Sequence, residues 1–109
     1  MIDKSELGEE VLREIAGVGG SYGVKIELCL QELERLRRAI AYLRSRILRS
    51  RKFPAFSIRL CVRLRKRFYQ VRERAREQRR YLIIYREALG LVKHTEVFEI
   101  YNIESYDPV

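Results

Sequence analysis

The feature that most constrains the fold is a seam of mainly apolar residues at alternating spacings of four and three, and it occurs twice in the chain. The first seam consists of Tyr22, Ile26, Cys29, Leu33, Leu36, Ile40, Leu43 and Ile47. The second consists of Cys61, Leu64, Phe68, Val71, Ala75, Gln78, Leu82, Tyr85 and Leu89. Heptad seams of this kind are typical of long helices that pack along their length. We therefore predict two helices, over residues 22–49 and 55–89.

The connection between these helices is short and ends in a proline. It spans residues 50–54, and Pro54 is suited to the first turn of the second helix. A short connection makes consecutive helices antiparallel neighbours. Folding about it places Leu43 opposite Cys61 and Cys29 opposite Ala75, so that apolar layers meet. The predicted fold class is all-α, a long antiparallel two-helix hairpin resembling a coiled coil, within one domain of residues 1–109.

Shorter elements are predicted on either side of the hairpin. A capping box, Asp3 and Glu6, precedes apolar residues at every fourth position and indicates a short helix over residues 4–16. The glycine-rich residues 17–23 indicate a flexible turn. Gly90 fits a helix C-cap, and a tail follows over residues 91–109. Within this tail, residues 95–103 are compatible with strand or helix; we favour a short helix capped by Thr95.

The base of the hairpin, the end away from the connection, needs a cover. Residues 81–85 are apolar and aromatic, and cannot all face one partner helix. The N-terminal helix and the tail could cover them, and so could a second copy of the chain. Further apolar residues off the seam, such as Leu48 and Val62, favour a dimeric helical bundle. We therefore expect a homodimer or a higher homo-oligomer.

Charge is concentrated in one window of the chain. Between Arg35 and Arg72 there are fourteen basic residues and no acidic ones. Residues 1–34 hold eight acids against three bases and residues 73–109 hold seven against six, so +14 combines with −5 and −1 to give the net charge of +8. A block of like charge indicates a surface that binds an anionic partner.

Many of the arginines share one side of the predicted hairpin. With Cys61 as heptad position a, the e positions of the second helix form what we call the arginine ladder: Arg65, Arg72, Arg79 and Arg86. Successive arginines of the ladder lie about 10 Å apart along the helix, at ~1.5 Å of rise per residue. Arg37 and Arg44 occupy the facing e positions of the first helix. We expect no acid within the hairpin to neutralise this side, whereas Glu32 reaches Arg74 on the other side.

This pattern predicts nucleic-acid binding, because guanidinium groups form charge-assisted, often bidentate hydrogen bonds with phosphates. No base-reading element is evident, so the contacts would be largely independent of sequence. Tyr42 and Tyr69 lie within the basic window and could stack on bases, although packing roles are the more common use of tyrosine. The predicted nucleic-acid-binding residues are Arg37, Arg44, Arg49, Arg51, Lys52, Arg65, Lys66, Arg72 and Arg79.

Two other partners fit the same charge. The alternative function is an oligomeric scaffold or protein-interaction module, in which the acidic surface of another copy or protein docks on the basic end of the hairpin. An anionic membrane surface is a third partner, with Phe53 and Phe56 inserting beside the basic residues.

The sequence contains no recognisable catalytic or metal-binding motif. His94 is the single histidine and has no cysteine nearby. Cys29 and Cys61 lie about 20 Å apart along the predicted hairpin at ~1.5 Å per residue, too far for a disulfide between them. We expect two reduced core cysteines, although a bridge between copies stays open. We predict a protein that is not an enzyme and has no cofactor or metal.

Targeting signals are likewise not evident in the sequence. The longest apolar runs are far shorter than the roughly 20 residues that span a bilayer. The N-terminus has no basic leader followed by an apolar stretch. We expect a cytoplasmic protein without integral membrane association.

Overall fold

The computed structural model describes residues 18–52 and 54–108, and within these ranges every regular element is helical. Helix α1 spans Val18–Arg49 and helix α2 spans Ala55–Ala88. A short helix α3, Thr95–Ile100, and a 3₁₀ turn, Ile103–Ser105, follow in the tail. The described part measures 64 × 20 × 18 Å. The predictions of an all-α fold and of a long two-helix hairpin are confirmed, whereas the predicted helix over residues 4–16 lies outside the described residues.

The two apolar seams bring α1 and α2 together. The main core cluster holds buried side chains from both helices and one from the tail: Cys29, Leu33, Ile40, Cys61, Phe68, Val71, Ala75 and Ile103. Leu36, Leu43 and Leu64 are half-buried against it. Burying one large aliphatic or aromatic side chain contributes about 1.5–3 kcal/mol. The cluster is therefore the main source of stability, and the seam prediction is confirmed except at Leu89, which is 57% exposed.

A second cluster closes the base of the hairpin. It consists of Ile26 from α1, Leu82 from α2, and Val97 and Tyr101 from the tail, all at most 2% exposed. The tail, which was one of the predicted covers, thus covers part of the apolar base. The expectation of a helix in the tail is confirmed, but Thr95 is its first residue and His94 is its N-cap, without a side-chain capping bond.

Helix α1 begins earlier than the glycine pattern indicates. Gly19, Gly20 and Gly23 all lie within it, so the predicted flexible turn is wrong from Val18 onward. Glycine in a helix costs about 1 kcal/mol relative to alanine. Here Gly23 is buried and the ring of Tyr22 lies 6.3 Å from that of Tyr81, centroid to centroid. Packing against α2 therefore outweighs the weak helix propensity.

Gly90 directs the chain from α2 into the tail. Its φ of 88° lies in the left-handed region, which glycine adopts without steric cost. The Gly90 amide donates to the Glu87 carbonyl at 2.9 Å, and the Leu91 amide donates to the Arg86 carbonyl at 3.0 Å. These two bonds form a Schellman motif, which satisfies carbonyls left free at the helix end. The predicted C-cap is confirmed, and it turns the tail back toward the hairpin.

Candidate nucleic-acid interface

The fold places the whole basic window at the end of the hairpin that carries the connection. We call the described residues 35–52 and 54–72 the tip half; the base half is the rest of the hairpin. All fourteen basic side chains of the window lie in the tip half. Arg65, Arg67 and Arg72 are half-buried, and the other eleven are exposed. The basic residues therefore form a surface and not part of the core.

Ion pairs neutralise few of these charges. Glu34 accepts bonds from Arg37 at 2.6 Å and from Arg38 at 3.1 Å. Glu32 pairs with Arg67 at 2.9 Å. With three of fourteen paired, eleven basic residues of the tip half have no acidic partner among the described residues. An uncompensated set of this size raises the local positive potential.

Two details of the predicted charge pattern are wrong. Arg37 does have an acid within the hairpin, because Glu34 lies one turn before it on the same helix face. Glu32 pairs across the hairpin with Arg67 and not with Arg74. The bonds to Arg37 and Arg38 hold the pKa of the Glu34 carboxyl at about 2, mainly through the Arg37 hydrogen bond. Arg37 is therefore less available to a phosphate than its neighbours.

Arg79 occupies a different environment from the rest of the predicted site. Arg79 is 7% exposed, and its side chain lies beneath the tail. The guanidinium donates to the Glu104 carboxylate through both Nη atoms, with 2.8 Å from Nη1 to Oε2. Nη1 also donates to the Tyr101 carbonyl at 3.0 Å. The Phe98 ring centroid lies 4.4 Å from Arg79 Cζ, within the range of a cation–π contact.

The contacts of Arg79 leave no exposed N–H group for a nucleic acid. The prediction that Arg79 binds nucleic acid is therefore wrong. The physical reason is the tail, whose carboxylate and carbonyl occupy the positions a phosphate would take. The same arginine, mainly through its hydrogen bonds, holds the pKa of the Glu104 carboxyl at about 2. Arg76 adds a longer contact to Glu104 at 3.7 Å.

Arg86 is also buried beneath the tail. It is 1% exposed, and its Nη2 donates to the Lys93 carbonyl at 2.9 Å. The arginine ladder is therefore divided between the halves: Arg79 and Arg86 are structural in the base half, while Arg65 and Arg72 remain in the tip half. Sequence patterning did not identify Glu104 as the partner; the acidic character of the tail was the one available signal.

The remaining predicted residues share the tip half. Arg44, Arg49 and Lys66 are exposed along the two helices, and Arg51 and Lys52 lie in the connection, where the Ser50 hydroxyl donates to the Lys52 carbonyl at 2.6 Å. Arg65 is half-buried, and its Nε has no hydrogen-bond partner among the described residues. Four exposed arginines of the tip half that the predicted site omitted also lack an acidic partner in the described chain: Arg35, Arg46, Arg59 and Arg63.

The two tyrosines of the basic window stack on arginines. Arg46 Cζ lies 5.9 Å from the Tyr42 ring centroid, and Arg72 Cζ lies 4.9 Å from that of Tyr69. Both rings are exposed, at 62% and 48%. Base stacking by either ring stays a prediction, and it would require the ring to share its faces between arginine and base.

Groups able to carry catalytic or metal chemistry are sparse in the described chain. No group of three or more His, Cys, Asp and Glu residues there could hold a metal ion. Cys29 and Cys61 are free and buried, which confirms the prediction of two core thiols. Burial raises the pKa of the Cys29 thiol. His94 contacts Glu87, Nε2 to Oε1, at 3.2 Å. None of the described helices is long and apolar enough to span a membrane.

Comparisons with protein-family models, curated proteins and solved structures found no match to this chain. The residues of the tip half are therefore the basis for inferring its function.

Proposed function

We propose that this protein is a non-enzymatic nucleic-acid-binding protein that uses the tip half of its hairpin for largely sequence-independent phosphate contacts. One observation carries the proposal: eleven basic residues of the tip half lack an acidic partner in the described chain. Like charges held together on a rigid helix pair repel one another. An anionic ligand that follows the hairpin relieves this repulsion and gains charge-assisted hydrogen bonds.

The phosphate contacts are assigned to residues that the fold leaves exposed or half-exposed in the tip half. They are Arg44, Arg49, Arg51, Lys52, Arg65, Lys66 and Arg72. Arg37 contributes less because Glu34 already binds its guanidinium. Arg79 has no role in binding in this proposal. We also propose that the protein is cytoplasmic.

The mechanism is electrostatic. Each arginine or lysine that contacts a phosphate releases a condensed counterion, so the logarithm of the affinity falls linearly with the logarithm of salt concentration. Contacts to phosphate position a protein on nucleic acid, but they carry little sequence information.

The test is a salt series of binding to labelled duplex DNA and to single-stranded RNA. The variant Arg44→Gln/Arg49→Gln/Lys66→Gln removes three exposed charges from the tip half. Since each lost phosphate contact lowers the magnitude of the salt slope by about 1, we expect the slope to fall by up to about 3. The affinity should fall for all sequences alike.

The matched control is Lys25→Gln/Arg80→Gln/Lys93→Gln, which removes three exposed charges from the other end of the molecule. Both variants lower the net charge equally, so a difference between them reports position. Equal slopes in the two variants would reject the tip half as the site. Failure of the unaltered protein to bind either nucleic acid at low salt would reject the proposed function.

A second candidate function is a protein-interaction module or oligomeric scaffold. Exposed apolar side chains lie among the basic residues of the tip half, with Leu48 at 81%, Phe56 at 76% and Val62 at 62% exposure. Apolar surface of this kind is also found at protein interfaces. Light scattering coupled to size-exclusion chromatography at low and high salt tests this candidate. A homo-oligomer that dissociates as salt rises would favour charge-driven assembly.

A further inference from the structure

Both sides of the tip half carry arginines, and the structure distinguishes the sides. The side that the tail follows in the base half continues into the tip half with Arg37, Arg44, Arg65 and Arg72, and we call it the tail flank. The other side of the tip half, the opposite flank, carries Arg46, Arg49, Arg63 and Arg67 at g and c heptad positions. The ion pair between Glu32 and Arg67 joins the g positions of α1 and α2, so it lies on the opposite flank. Arg79 and Arg86, which bind the tail, lie on the same side as the tail flank.

The opposite flank retains most of its charge. Arg46, Arg49 and Arg63 are exposed and have no acidic partner among the described residues, and Arg67 alone is ion-paired. On the tail flank, Arg37 alone is ion-paired. Each flank of the tip half therefore presents a row of arginines able to bind phosphates.

The two flanks are too far apart to act as one site for a stiff ligand. The described part is 20 × 18 Å across. Exposed charges on opposite sides are thus separated by more than the Debye length, about 8 Å at physiological salt. Double-stranded DNA has a persistence length of about 150 base pairs, so it does not bend around a rod of this width without a large energetic cost. A duplex lying along one flank leaves the other flank unneutralised.

We propose that one molecule of this protein binds two duplex segments, one against each flank of the tip half, and so bridges them. This inference rests on the proposed function and adds to it a second, independent contact surface. The duplex is the appropriate probe because a flexible single strand can bend around the hairpin and contact both flanks itself.

The test measures the mass of the complex by sedimentation. Duplexes of about 24 base pairs, roughly 80 Å long, exceed the 64 Å length of the described part. At excess duplex and physiological salt, where the Debye length is about 8 Å, we expect complexes that contain one protein and two duplexes. Fluorescence anisotropy of one labelled duplex, measured in parallel, reports binding to the first duplex and so tests the proposed function separately.

Flank variants test whether the two surfaces are distinct. We compare Arg44→Gln/Arg65→Gln on the tail flank with Arg49→Gln/Arg63→Gln on the opposite flank, and use Lys25→Gln/Arg80→Gln in the base half as the matched control. Thermal unfolding monitors the fold of each variant. Each flank variant should still bind one duplex, while its affinity for the second falls on the order of tenfold, because two phosphate contacts are lost. The control should still form the two-duplex complex.

Three outcomes would overturn the bridging inference. The unaltered protein could saturate at one duplex, the two-duplex complexes could contain two protein molecules, or both flank variants could still bind the second duplex as well as the control. In each case the anisotropy measurement still detects the first duplex, and the proposed function stands. If the anisotropy detects no duplex binding at any salt concentration, both proposals fail.

Discussion

The two halves of the arginine ladder have the same spacing along α2 and opposite roles. In the base half, Arg79 and Arg86 are buried beneath the tail and bind its carbonyls, and Arg79 also binds the Glu104 carboxylate. In the tip half, Arg65 and Arg72 meet no acidic side chain in the described chain, and Arg44 across from them is exposed. A buried arginine with several hydrogen bonds is costly to remove, whereas an exposed one beside like charges destabilises slightly. Heptad position alone therefore does not determine whether an arginine is structural or free to bind a ligand.

The largest effect should come from the residue that joins the tail to the main core. Ile103 is fully buried in the cluster of α1 and α2. We expect Ile103→Ala to lower the free energy of unfolding by about 3 kcal/mol, since it removes buried methyl groups and leaves a cavity. Urea denaturation measures this change. The control is Leu48→Ala in the tip half, where the side chain is 81% exposed; equal losses in the two variants would contradict the packing of the tail.

The comparison can be tested directly by the same substitution in each half. Arg79→Met should lower the free energy of unfolding by about 2 kcal/mol, because the Tyr101 carbonyl loses its donor and Glu104 loses its partner. Arg44→Met, at an exposed e position, should change it by no more than about 0.5 kcal/mol. Thermal and urea unfolding of both variants provide the measurement. A loss at Arg44 as large as that at Arg79 would remove the distinction between the halves.

The pH dependence of stability should report the bond between Arg79 and Glu104. The folded-state pKa of Glu104 is about 2, below its ordinary value of about 4.5. Its contribution to stability is therefore fully present above pH 4.5 and is lost as the pH falls toward 2. The carboxylate is half-exposed, so solvent screening limits the loss in Glu104→Gln to about 1 kcal/mol at pH 7.

The difference in stability between the unaltered protein and Glu104→Gln should therefore shrink as the pH falls below 4.5. Urea midpoints at a series of pH values measure it. Glu99→Gln, in the same tail with the same change in charge, is the control and should be close to neutral. A difference that stays constant down to pH 2 would show that the Glu104 charge does not stabilise the fold.

The smallest predicted effect is an increase in the free energy of unfolding. Arg44→Gln removes one of the unneutralised charges of the tip half and should raise the free energy of unfolding by a few tenths of a kcal/mol at low ionic strength. Because salt screens exposed charges beyond about 3 Å at 1 M, the gain should vanish at high salt. Unfolding at both ionic strengths measures it, and a loss of stability at low salt would indicate that Arg44 makes a favourable contact.

The hairpin could be predicted because its determinants repeat along the sequence. Apolar residues at heptad spacing identify both long helices, and Gly90 identifies the end of α2. The beginning of α1 could not be predicted, since the packing of Tyr22 against α2 and the burial of Gly23 outweigh the propensity of the glycines. The pair of Glu34 and Arg37 was accessible from its spacing of three residues.

The division of the candidate site could not be predicted from periodicity. Position e flanks the interface of a helical hairpin, and nothing in the spacing of Arg79 distinguishes it from Arg72. The difference depends on Glu104, 25 residues further along the chain, in a tail whose local pattern is compatible with either strand or helix. A tertiary contact of this kind is specified by how the tail docks, which involves Val97, Tyr101 and Ile103 together.

The tail also limits the length of the surface that a ligand can contact on its flank. Tyr106 packs beside the main core cluster and, with Glu34 and Arg38, lines one surface groove. On this side the uncovered surface therefore extends only over the tip half, whose α1 portion is about 20 Å long at ~1.5 Å per residue. That distance corresponds to about six base pairs of duplex. The docked tail would thus limit how many phosphates one molecule contacts on a duplex bound to this flank.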